Sequence, residues 1–133
     1  MTRRELRTKS FLLLYRTFFY TPEEMEEQKE LFVEEIQEKA SKEDIDFILN
    51  RVDSVMGKLE EIDAVIEEKA VNWNINRIDY IDLTIIRQAY YEIKYVEDVP
   101  ERVAVNEAVE LAKLYDEPQA APFVNGVLAK FAD

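Results

Sequence analysis

The chain has no cysteine and no histidine among its 133 residues, and only 2 glycines and 4 prolines. These absences remove whole classes of chemistry. No thiolate nucleophile, Ser-His-Asp triad, imidazole zinc ligand or histidine pH switch can be assembled. A chain without thiols fits a reducing compartment. So few glycines and prolines leave little turn chemistry for a strand-rich fold, which favours helices. Long apolar runs are missing too. The run near the start, Phe11-Leu12-Leu13-Leu14-Tyr15, is far shorter than a membrane span, and no small-residue cleavage site follows it. The expected address is the cytoplasm.

What is present is a well-stocked interior and an uneven charge. Hydrophobic residues make up 47% of the chain, enough for one domain with a packed core. The formal net charge is −12, which opposes indiscriminate polyanion binding. Residues 1–16, however, carry Arg3, Arg4, Arg7, Lys9 and Arg16 against Glu5: five cations and one anion, net +4, leaving −16 on the remainder. A basic tip on an acidic body can still hold RNA locally.

Helix starts are marked along the chain. Thr2 and Glu5 have the spacing of a capping box, as do Ser41 and Asp44, while Thr21-Pro22-Glu23-Glu24 adds proline at the first helical position. Leu6, Phe11, Leu12, Leu13, Leu14, Tyr15, Phe18 and Phe19 cover most of the first helix, predicting a central one. Ile45, Ile48, Leu49, Val52, Met56 and Leu59 form an i, i+3, i+4, i+7 stripe, and Gly57 predicts a break before a fourth helix carrying Ile62, Ile66 and Ala70. Residues 72–76 read as a connector. A fifth helix then points Ile78, Ile81, Ile85, Ala89 and Ile93 inward, Pro100 suits the first turn of a sixth, and Phe123–Phe131 forms the last. The fold class is all-α.

Few side chains suggest chemistry. Glu107 and Glu110 lack the Glu-x-x-His partner of a di-iron bundle, and Glu110 with Lys113 makes a simple surface pair. No catalytic residue, metal ligand or cofactor is expected. Arg3, Arg4 and Arg7 are different. Cations at a helix N-terminus oppose the dipole at a cost of roughly 0.3–1 kcal/mol each. Stability therefore does not account for them, whereas phosphate binding and base stacking do. Asn106 and Asn125 are expected to be satisfied buried amides. Gly126, unfavourable inside a helix, is expected to mark a close helix crossing.

Two blocks carry more than periodicity. Residues 103–113, Val-Ala-Val-Asn-Glu-Ala-Val-Glu-Leu-Ala-Lys, and 123–128, Phe-Val-Asn-Gly-Val-Leu, resemble in order the signature blocks of the NusB family of bacterial transcription antitermination factors. Arg87, Tyr91 and Glu92 fit that family's "LR…YE" helix; Arg3, Arg4, Arg7 and Tyr15 fit its "RR…R…LY" start. The resemblance implies about seven helices in two small packed bundles, with subdomains of approximately 1–72 and 73–133. It implies binding of boxA-type RNA in ribosomal transcripts together with NusE, a small-subunit ribosomal protein, and entry into an RNA polymerase antitermination complex. Arg3, Arg4, Arg7 and Lys9 would be the RNA-binding residues. Glu5, Thr8, Ala120 and Pro122 depart from the family pattern and thin its polar, positive surface. The resemblance also admits a homodimer, a protein-interaction module with weak RNA binding, and an accessory domain of an RNA-modifying enzyme.

Overall fold

The computed structural model describes residues 1–70 and 74–132, and among them the regular structure is entirely helical. The chain forms two compact units, Met1–Gly57 and Lys58–Asp133. The subdomain boundary expected near residue 72 lies outside the described residues, and the units divide earlier.

The first unit holds α1 (Arg3–Tyr15), α2 (Pro22–Ile36) and α3 (Lys42–Gly57). All three begin as expected. Thr2 Oγ1 accepts the Glu5 amide at 3.1 Å while Glu5 returns a carboxylate to the Thr2 amide at 2.9 Å. Thr21 with Glu24 and Ser41 with Asp44 repeat the arrangement. Each box satisfies two amides that a helix start otherwise leaves without partners. α1 and α3 pack on each other, with Phe11, Leu13, Ile48, Val52 and Val55 at the core. Polar ties hold α2. Arg16, just beyond α1, lies over the Phe32 ring and reaches Gln28 and Glu35, and Lys29 reaches Asp53 of α3 at 2.7 Å.

The second unit holds α4 (Leu59–Lys69), α5 (Tyr80–Tyr95), α6 (Glu101–Tyr115) and α7 (Ala120–Ala129). α4 belongs here because it buries Ile62 and Ile66 and because its Asp63 forms a two-pronged ion pair with Arg87 of α5, at 2.9 and 2.8 Å. Part of the expected connector at 72–76 lies outside the described residues; the described part is a 3-10 turn, Ile75–Arg77, capped by Asn74. α5 is buried at every position from Asp82 to Tyr90 and packs against α4, α6 and α7. Over that stretch it is enclosed, the role that the apolar sequence of α1 suggested for α1. Pro100 sits one residue before α6, as its N-cap, and α7 begins at Ala120, ahead of the expected Phe123. Among the described residues, no helix is long and apolar enough to cross a membrane.

Two expectations fail in α6 and α7. Asn106 and Asn125 are exposed rather than buried. Gly126 is exposed as well, and a Cβ placed on it meets no described atom within 4 Å. The inward positions of these helices are Ala104, Ala108, Leu111 and Ala112 on α6 and Val124, Val127 and Leu128 on α7. With those facing the core, the helical period turns Asn106, Asn125 and Gly126 outward.

Candidate nucleic-acid interface

The basic tip is built by the first helix start and its neighbour. Arg3 and Arg4 are exposed on the first turn of α1, Lys9 is half-buried, and Arg7 is buried at 9% exposure. The four expected cations therefore do not present one uniform surface. Arg3 lies 5.7 Å from the centroid of the Phe47 ring, and Arg51 lies 4.9 Å from the same ring. Two guanidinium groups thus share one aromatic support, an arrangement worth roughly 0.5–1 kcal/mol each when exposed. Arg51 was not among the residues singled out from the sequence. It stands 48 positions from Arg3, and only the packing of α3 against α1 brings it near, so no linear motif could have shown it.

Two acidic residues, Glu5 and Asp44, are already engaged. Glu5 is committed to the Thr2 cap, and the backbone hydrogen bond from Thr2, followed by the Thr2 side chain, lowers its pKa. The Met1 ammonium meets the Asp44 carboxylate at 3.1 Å. Asp44 also accepts the Ser41 amide at 3.0 Å. That backbone hydrogen bond first, then the ammonium, lowers its pKa below the ordinary carboxylate value. Arg16 leaves the tip to pair with Glu35 at 3.2 Å. The +4 counted along residues 1–16 is consequently not all available to a ligand. Thr8, one of the departures from the family pattern, turns its hydroxyl back to the Arg4 carbonyl at 2.9 Å.

Aromatic side chains extend from the other end of α1. Tyr15 contacts Phe19 at 5.1 Å between centroids, and Phe19 is 56% exposed. In the second unit Tyr80 is half exposed while Tyr90 is buried. Tyr95 donates its hydroxyl to Glu61, and that hydrogen bond pushes its pKa up to about 12.

The NusB family model matches residues 4–133 of the chain. The chain belongs to the NusB family. The transcription antitermination protein NusB of Agathobacter rectalis is 43% identical over 132 residues, covering 99% of this chain and 100% of that protein. T. maritima NusB is structurally similar with a TM-score of 0.88 and 28% identity, over 99% of this chain and 91% of that one. A chain from a crystal structure of the antitermination factors NusB and NusE in complex with dsRNA is similar with a TM-score of 0.80 and 29% identity, over 96% of this chain and 92% of that one.

The two blocks that resemble NusB signatures are α6 and α7. Their apolar positions pack the second unit, whereas Asn106, Asn125 and Gly126 are exposed. The NusB pattern at 103–113 and 123–128 is thus part packing and part surface. Glu110 and Lys113 form the expected pair at 3.5 Å. Of the departures from the NusB pattern, Ala120 is buried and Pro122 exposed.

Proposed function

We propose that this chain is a transcription antitermination factor that acts by binding: a cytoplasmic, non-catalytic adapter that holds boxA-type RNA together with NusE and joins RNA polymerase against premature termination. The observation that carries this reading is the family match over residues 4–133, taken with the likeness to a NusB chain crystallised with NusE and dsRNA. Arg3 and Arg4 are the proposed primary phosphate contacts, with Lys9 beside them and Arg51 supporting Arg3 through Phe47. Arg7 is a further proposed RNA contact, although it is buried at 9% exposure. Guanidinium groups suit this role because they keep their charge and offer several donors to a phosphate.

Titration of boxA RNA into the wild-type chain and an R3E/R4E variant, with NusE present, tests the proposal. A hydrogen bond to a charged group is worth about 1.5–3 kcal/mol, so the double reversal should weaken binding by roughly tenfold or more. Helicity should not change, because both side chains are exposed. Arg7 is left out of the variant, since reversing a buried charge would confuse lost binding with lost folding. Unaltered RNA affinity in the folded R3E/R4E protein would remove the basic tip from the interface.

A further inference from the structure

Three carboxylates of the second unit converge on one another. Asp79 is the N-cap of α5, and its Oδ1 accepts the Asp82 amide at 2.8 Å. Asp82 lies in the first turn of the same helix and is 5% exposed. Asp116 closes α6, and its Oδ1 accepts the Glu117 amide at 2.8 Å. Asp79 and Asp116 are therefore oriented by backbone hydrogen bonds. One oxygen from each of the three residues lies within 4.8 Å of the others. They line a cleft of about 370 Å³, with Arg77 and Gln119 on its walls and the exposed Asp79 giving access from solvent.

Acidic clusters are common on an acidic protein, but this one has an unusual member. Asp82 is almost fully enclosed, yet its Oδ1 finds no hydrogen-bond partner among the described residues, and neither does the buried Oδ2 of Asp116. A buried acceptor without a partner is costly, and more so when it carries charge. The cleft supplies oxygen acceptors in excess of donors.

We propose that Asp79, Asp82 and Asp116 form a binding site for a hard divalent cation, with Ca²⁺ the best match. An all-carboxylate set suits oxygen-seeking ions and not soft ones. Calcium takes oxygen ligands at about 2.3–2.6 Å in a flexible geometry, which suits a triad whose members are set by two different helix ends. Mg²⁺ demands near-ideal octahedral geometry and gives up its waters reluctantly, so it suits such a triad less well. The cation would give the Asp82 and Asp116 oxygens the partner they lack and would tie the start of α5 to the end of α6. Water would complete its coordination. This site stands independently of the RNA reading, because none of its residues belongs to the basic tip.

The test uses the full chain, stripped with a chelator and titrated with Ca²⁺, Mn²⁺ and Mg²⁺ by calorimetry and by thermal melting. Three protein ligands in a solvent-accessible cleft should give a Ca²⁺ dissociation constant of about 10⁻⁴–10⁻³ M, one ion per chain, and a melting temperature that rises to a plateau. Asp82→Asn should weaken this binding by roughly tenfold or more, and Asp79→Asn, an exposed position that tolerates change, should do the same. Mn²⁺ should broaden the amide NMR signals of residues 79, 82 and 117 before those of the acidic face of α2. Absence of a calorimetric signal, or equal Ca²⁺ binding in both folded variants, would show that the triad holds no ion and that cations associate only diffusely.

Discussion

At Gly126 the sequence argument and the structure part company for a simple reason. A glycine within a helix weakens it, and a close crossing is the usual compensation, yet here the space above its Cα is open. Gly126→Ala should therefore stabilise the chain by about 0.5–1 kcal/mol, read as a shift in the urea midpoint at constant m-value. A loss of stability would reveal a neighbour that the open space does not contain. Asp44 gives a pH-dependent counterpart. Its folded pKa is lowered by the Ser41 amide and the Met1 ammonium. Its contribution is therefore present above the unfolded value near 3.8 and is lost as pH falls through the lowered folded value. Asp44→Asn should reduce stability near pH 7 and flatten the acid dependence below about pH 4, with urea midpoints at the two ends as the measurement. An unchanged acid slope would mean that the carboxylate contributes nothing beyond the neutral amide.

Among the elements, α5 shows how far pattern reading extends. It starts later than expected, with Ile78 ahead of the Asp79 N-cap, but Ile85 and Ala89 point inward as expected. Its enclosure was not visible, because Asp82, Arg87, Gln88 and Glu92 look like a solvated face in a linear sequence although all four are buried. Enclosing such groups is costly unless they find partners, and Asp63 of α4 supplies one for Arg87. Asp63→Asn keeps the volume but removes the charge from this two-pronged pair. It should cost about 1.5–3 kcal/mol, measured by chemical denaturation, the range of a hydrogen bond to a charged group. A cost near zero would place the pair with exposed ion pairs that contribute little.

Across the whole molecule, charge governs how RNA can be held. A net charge of −12 repels a polyanion at long range, and few exposed cations gather at the tip. Binding by the chain alone should accordingly be weak, with a shallow dependence on salt because few phosphates are neutralised. A basic partner beside the tip would extend the positive surface and offset part of the repulsion. Linkage then demands that RNA tighten the association with NusE by the same factor that NusE tightens the association with RNA. Measuring all four affinities at one salt concentration closes this cycle. Equal RNA affinity with and without NusE would show that the chain does not depend on its partner.

The sequence alone determined the helical class, the three capping boxes, the break at Gly57 and the membership signalled by residues 103–113 and 123–128. Each of these rests on spacing within a few residues, where covalent connection already enforces proximity. Helix limits drifted, as at the Ala120 start of α7, because terminal turns are decided by packing as well as propensity. Tertiary structure alone decided that Arg7 is buried while Arg3 and Arg4 are exposed, that Arg51 joins Arg3 on Phe47, and that Asp116 meets Asp79 and Asp82. Those groupings join residues far apart along the chain, and helix packing rather than local spacing sets the distances between them.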